Sequence, residues 1–134
     1  MLDGEGARLH GGRWNSPGMP VVYTAGSRAL AVLELLVWTD PDTLPAELHL
    51  FEIDVPDEAV AVAELPPDWQ RPRHSACREL GDAWAASART LLLSVPSAVI
   101  PEEPNHLLNP AHPGMSSVRV VGSRPFAFDP RLLG

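Results

Sequence analysis

The segment Val21–Trp38, VVYTAGSRALAVLELLVW, decides the fold. Val21–Ala25 is short, β-branched and aromatic, which reads as a strand. Ser27 then stands as the cap of a helix running to about Trp38, where Thr39-Asp40-Pro41 ends it. Downstream, Glu47–Val55 (ELHLFEIDV) alternates well enough for a second strand, and Val60–Leu65 reads as another before Pro66-Pro67. Ser75–Ser87 (SACRELGDAWAAS) is expected to be helical despite Gly81, with Ser75 as its cap. Thr90–Val95 (TLLLSV) is an apolar run expected to be a strand buried on both faces, with Ala98–Ile100 as its continuation beyond a kink. Pro101–Gly114 carries four prolines in fourteen residues, and a loop of that length is usually functional or disordered. Ser117–Gly122 and Pro125–Phe128 read as late strands. Upstream, Gly4, Gly6, Gly11, Gly12 and Gly18 with Pro17 and Pro20 make the first twenty residues loop and turn. The class is α+β: one domain of short mixed strands, two main helices and large loops.

Composition narrows the functions. A chain of 134 residues fits one domain and buries roughly 68% of its unfolded surface, enough for a core without disulfides or metals. Fifteen prolines are about twice the usual share of roughly 5%, which excludes long helical bundles. The net charge is −7 and all ten bases are arginine. Such a surface repels phosphate backbones, so direct nucleic-acid binding is not expected. A single cysteine, Cys77, has no internal disulfide partner and fits a reducing cytoplasm. The polar, glycine-rich stretch Met1–Gly12 has no apolar signal core, and Ala29–Trp38 is too short to span a bilayer. A soluble cytoplasmic domain without a membrane partner is expected.

Glu34 carries the strongest chemical signal. The positions three and four residues away are Leu30, Ala31, Val37 and Trp38, so its carboxylate projects from the apolar side of the helix. It either reaches water at the edge of that stripe or lies at the floor of a cleft, since burying a bare carboxylate is costly. Arg13, in Gly11-Gly12-Arg13-Trp14-Asn15, is either an exposed loop residue or a guanidinium fixed beside the Trp14 anchor. Tyr23 could stack on a base or be an ordinary half-buried strand residue. Ser97 follows Val95-Pro96 where a strand stops, a common turn position. No Gly-x-Ser-x-Gly elbow surrounds it, which argues against a hydrolase nucleophile. His106 and His112 lie in a segment rich in hydrogen-bonding groups that also holds Asn105 and Asn109. No cysteine or carboxylate accompanies them at ligand spacing, so no metal is expected. Phosphate-cradling P-loop and dinucleotide-binding glycine patterns are absent.

Taken together, GEGARLHGGRWNSPG, VVYTAGSRALAVLELL, GDAWAAS, LLLSVPSAVIPEEPNHLLNP with AHP, and PFAFDPRLL resemble the RES-domain toxins of RES–Xre toxin–antitoxin systems. They cover most of residues 4–133 in the family's order. The family is named for an arginine, a glutamate and a serine, roles that fall on Arg13, Glu34 and Ser97. Tyr23 and Asn109 match positions that line the family's pocket. The resemblance implies a fold similar to diphtheria-toxin-like ADP-ribosyltransferases and an enzyme that consumes NAD⁺ as substrate, by hydrolysis or phosphorolysis of the nicotinamide–ribose bond. It further implies that Arg13 clamps the pyrophosphate, Tyr23 stacks on the nicotinamide and Glu34 stabilises the charge that develops on the ribose. Ser97 would hydrogen-bond a ribose or the carboxamide, and Asn109 would orient one of these groups. The implied partner is an Xre-type helix-turn-helix antitoxin; a homodimer is left open. ADP-ribosyl transfer to a protein, or an inactive module that only binds the antitoxin, are the alternatives. Family members usually carry a further N-terminal segment with a strand before GEGA, whereas this chain begins at Met1-Leu2-Asp3.

Overall fold

The structure is a computed structural model that describes residues 2–44, 47–57 and 59–134. Among them are three α-helices and six strands: α1 Glu5–His10, β1 Val22–Ala25, α2 Arg28–Trp38, β2 Leu48–Asp54, β3 Val60–Val62, α3 Ser75–Ser87, β4 Leu92–Pro96, β5 Pro104–Leu108 and β6 Arg119–Phe126. The expected α+β class is what forms.

The strands make two sheets. One has the order β1-β5-β4-β3, and the other pairs β2 with β6. β5 runs antiparallel to both β1 and β4, while β3 and β4 are parallel and joined through α3. A parallel pair needs such a crossover, because a tight hairpin cannot reverse the chain twice. The inner strands β4 and β5 are covered on both sides. Leu93, Val95 and Leu107 pack with Trp14, Val21, Cys77, Trp84 and Ala85, whereas Leu108 joins Val22 and Leu91 in a second cluster that Ile53, Met115 and Val118 cover.

Helix α2 starts as its sequence dictates: Ser27 Oγ accepts the Leu30 N–H at 3.1 Å, and Leu30 is its buried anchor. Helix α3 is capped one residue earlier than expected. His74, not Ser75, fills that role, its ring nitrogen accepting the Ala76 N–H at 3.2 Å. Its other ring nitrogen lies 2.7 Å from Asp68 Oδ1, so the imidazole ties the start of α3 to the preceding turn.

Three further expectations are corrected. The supposed loop Pro101–Gly114 contains β5, a central strand. Pro104 is tolerated because it occupies the first strand position, where a missing N–H costs least. The two late strands are one, β6, which continues through Pro125 opposite His49. The glycine-dense N-terminus includes the short helix α1, with its Arg8 paired to Glu5.

Candidate active site

A cavity of about 1130 Å³ opens between the four-stranded sheet, α2 and β2, and its lining includes Arg13, Tyr23, Glu34, Asn105 and His106. These residues come from a loop, two adjacent elements and a strand seventy residues away, and the sheet register brings them together.

Glu34 lies half-buried on α2 as part of the cavity wall, which realises the cleft reading. Its Oε1 accepts two hydrogen bonds, from Ser97 Oγ at 2.6 Å and from Asn105 Nδ2 at 3.1 Å. Oε2 has no hydrogen-bond partner among the described residues. Both donors are neutral, so the carboxylate is oriented without a cation cancelling its charge. A carboxylate fixed in this way is preorganised to meet positive charge that develops in the cavity.

Ser97 is fully buried and is both turn former and carboxylate holder. Its Oγ accepts the Val99 and Ile100 N–H groups at 3.1 and 3.0 Å while donating to Glu34. Its own N–H donates to Glu103 O at 2.9 Å. The hydroxyl's one hydrogen is thus spent on Glu34, so it orients the acid from beneath.

Arg13 is a fixed guanidinium. Its Nη1 donates to the carbonyl oxygens of Trp69 and Arg71 at 2.9 and 3.2 Å, and Trp14 beside it stacks on Trp69 with ring centroids 6.3 Å apart. Nε and Nη2, adjacent on one edge of the guanidinium plane, have no protein partner among the described residues. That edge is the fork arginine uses for two-pronged anion contacts.

Tyr23 exposes its ring to the cavity but not its hydroxyl. Oη accepts the Trp14 N–H at 3.1 Å and donates to Asn15 Oδ1 at 2.5 Å. Asn15, fully buried, in turn donates to the carbonyls of Ala7 and Met19. The tyrosine therefore ties the Arg13 loop to β1, and burial of the phenol pushes its pKa well above the usual value. Gly12 makes this closeness possible, because a Cβ there would stand 2.7 Å from Tyr23 Oη.

Asn109 does not join this group. It is buried beyond the far end of β5, where Nδ2 donates to Ala85 O at 2.9 Å and Oδ1 accepts the Ala111 N–H at 3.0 Å. Four residues of strand, about 13 Å, separate it from Asn105, so it braces the α3–β4 connection instead of the cavity. The residue that sequence reasoning missed is Asn105. The available signal was its odd polarity next to an apolar Leu107-Leu108 pair. His112 is also structural, its Nδ1 accepting the Gly114 N–H at 2.9 Å.

Residues 1–129 match the RES domain. The chain belongs to the RES family. Its relatives include the "Prs ADP-ribosylating toxin" of Sphingobium sp. (strain YBL2), 45% identical, with the alignment covering 98% of this chain and 86% of the relative. The "Toxin Res" of Photorhabdus laumondii is 40% identical over 97% of this chain and 86% of its own length. Among solved structures, the RES fold seen here matches a chain of the M. tuberculosis MbcT–MbcA toxin–antitoxin complex. The TM-score is 0.71 at 26% identity, covering 98% of this chain and 79% of that one. Among the described residues of this RES domain, no helix is long and apolar enough to cross a membrane.

Proposed function

We propose that this RES-domain protein is the toxin of a toxin–antitoxin pair and acts in the cytoplasm by cleaving the nicotinamide–ribose bond of NAD⁺. The observation that carries the reading is one cavity holding a neutral-donor-clamped carboxylate, Glu34, together with the free edge of Arg13 and the open ring of Tyr23. The names of the relatives support the toxin role.

Cleavage passes through an oxocarbenium-like state, as in glycoside hydrolysis. Nicotinamide leaves with the bonding electron pair and becomes neutral, while positive charge builds on the ribose. The Oε2 edge of Glu34 faces that charge, and its attraction is stronger in a water-poor cavity than in bulk water. Arg13 would hold the pyrophosphate, pinned by the Trp69 and Arg71 carbonyls so that little freedom is lost on binding. The Tyr23 ring would stack on the nicotinamide, with its hydroxyl tied back to the loop. Water or phosphate then adds at the anomeric carbon; with water, a proton is released. A second reading, transfer of ADP-ribose to a protein, is favoured by the name of the 45% identical relative. The partner on this reading is an Xre-type helix-turn-helix antitoxin that covers the cavity.

The test is incubation of the purified protein with NAD⁺, with and without phosphate and lysate protein, measuring nicotinamide and labelled protein. Nicotinamide release that Glu34→Gln lowers at least a hundredfold supports the assignment; turnover within a few-fold of wild type refutes it. Label on protein selects transfer. Expressed alone in bacteria, the chain should lower cellular NAD⁺ before growth stops, and a cognate antitoxin should restore both. Arrest at normal NAD⁺ would rule out depletion.

A further inference from the structure

We propose that His74 is a positioning residue for Arg13: through Asp68 it fixes the turn whose carbonyls hold the guanidinium, and so aims the free Nε–Nη2 edge at the pyrophosphate. The proposal rests on the NAD⁺ reading above for its ligand and extends that reading to two residues that do not line the cavity.

Both acceptors of Arg13, the Trp69 and Arg71 carbonyls, belong to one short turn ahead of α3. The turn is built from two overlapping backbone bonds, Trp69 N–H to Pro66 O at 3.2 Å and Arg71 N–H to Asp68 O at 3.0 Å. A segment with so few bonds opens readily unless something else holds it. Asp68 stands in its middle, with Oδ1 2.7 Å from His74 Nε2.

The hydrogen on the imidazole is placed by its two contacts. Nδ1 accepts the Ala76 N–H at 3.2 Å, so it carries the lone pair and the ring hydrogen sits on Nε2. That hydrogen is donated to an ionised carboxylate, the stronger class of hydrogen bond. The ring itself is buried on the first turn of α3. The Cys77 thiol also reaches Trp69 O, at 3.6 Å, but a thiol is a weak donor. Among the described residues, His74 is therefore the strongest tie from α3 to the segment that holds Arg13.

Helix α3 thereby sets both halves of the Arg13 environment. Asp82 Oδ1 accepts the Ser16 N–H at 2.8 Å and holds the loop that carries Arg13. His74, about 12 Å away along the same helix, holds the turn that carries the acceptors. One rigid element fixes both, and the guanidinium spans them. A free arginine side chain would lose its rotamer freedom on binding, so fixing it beforehand favours affinity more than turnover.

Three variants separate the tie from the cap. In His74→Asn the side-chain carbonyl stands where Nδ1 was and caps the helix, but the amide is too short to reach Asp68. In His74→Gln the amide nitrogen stands where Nε2 was, so the tie is kept and the cap lost. Asp68→Ala removes an exposed carboxylate and leaves the cap. His74→Asn and Asp68→Ala should raise the KM for NAD⁺ about tenfold with kcat within about twofold. His74→Gln should keep the KM while its Tm falls. In an Arg13→Lys background, Asp68→Ala should move KM by less than about twofold, because no fork is left to aim. Wild-type KM in either of the first two variants overturns the proposal, as does a KM that rises in His74→Gln as far as in His74→Asn. Isotope-edited nitrogen NMR of the arginine side chains supplies a readout without substrate. The Arg13 signals, recognised by their loss in Arg13→Lys, should show separate Nη1 and Nη2 resonances in wild type. They should merge in Asp68→Ala and His74→Asn, because release from the carbonyls frees rotation of the guanidinium. Resonances already merged in wild type, or unchanged in those two variants, overturn the proposal whatever the protein does with NAD⁺. If they merge as expected while wild type neither releases nicotinamide nor binds ADP-ribose by calorimetry, the positioning stands and the NAD⁺ reading falls.

Discussion

Gly81→Ala puts the packing that sets Arg13 to a direct test. In an exposed helix the change should stabilise, because alanine is favoured over glycine by about 1 kcal/mol. Here the sign should reverse. A Cβ built on Gly81 would lie 1.7 Å from the Trp14 carbonyl oxygen and 2.7 Å from its carbonyl carbon. Both are backbone atoms that no rotamer change can move aside. Ordinary carbon–oxygen contacts need more than 3 Å, so α3 and the Arg13 loop must separate by more than an ångström. Overpacking of this kind costs typically 1–3 kcal/mol and sometimes more. With backbone atoms in the way the upper end, about 3 kcal/mol, applies; set against the propensity gain, the net loss is about 2 kcal/mol, or roughly 8 °C in Tm for a domain of this size. Trp14 adjoins Arg13, so the displacement should also raise the KM for NAD⁺ several-fold. Urea and thermal unfolding give the stability, and nicotinamide release gives KM. An increase in Tm, as helix propensity alone would give, would refute the close approach of α3 to Trp14 and the positioning argument built on it.

Arg13→Lys should raise KM for NAD⁺ at least tenfold with a smaller effect on kcat, because an ammonium cannot keep two carbonyl contacts and a two-pronged anion contact at once; unchanged binding by calorimetry would return Arg13 to a structural role. Burial raises the Tyr23 pKa, so the folded protein holds this proton after the unfolded chain has released it near pH 10. Stability from this group is therefore complete below about pH 10 and falls as pH rises beyond it. Tyr23→Phe should flatten that alkaline limb in pH-dependent urea titrations while costing about 1–3 kcal/mol at neutral pH through the unpaired Trp14 N–H. Cys77 is fully buried and its thiol pKa is raised by burial. It should react with an aromatic disulfide reagent at least tenfold slower folded than unfolded, and Cys77→Ala should keep activity; a large loss without unfolding would reveal a thiol role.

The parts of this molecule that were legible in sequence are those specified locally. The Ser27 cap and the apolar spacing of Ala29–Trp38 fix α2 within eleven residues, and Glu34 stands out there because it alone breaks that spacing. β5 was hidden because its signals conflict. Pro104 and the polar pair Asn105-His106 read as loop, yet these two side chains line a cavity and need no apolar partner. Asn109 misled for the converse reason. Its neighbourhood resembles a pocket motif, but strand rise carries it away from Asn105, and a buried asparagine bracing a turn looks the same in sequence as one facing a ligand. Gly81 read as a tolerated helix weakness when it is the contact point of α3 with the Arg13 loop.

These placements share one physical logic. Each group proposed to touch NAD⁺ is held by a partner on a different segment. Arg13 is held by the carbonyls of Trp69 and Arg71, the Tyr23 hydroxyl by Trp14 and Asn15, and Glu34 by Ser97 and Asn105. In each case the holding group takes one edge of the functional group and leaves another for the cavity: the Nε–Nη2 edge, the ring face and Oε2. Had these side chains been free to rotate, ordering them would cost each its rotamer entropy on binding. Fixed beforehand, they let binding energy go toward the bond that breaks. This also explains why so many of the chain's prolines and glycines bound short segments: a site assembled from distant pieces needs the chain to turn at fixed places, and long regular elements would not bring residues 13, 23, 34 and 105 to one cavity.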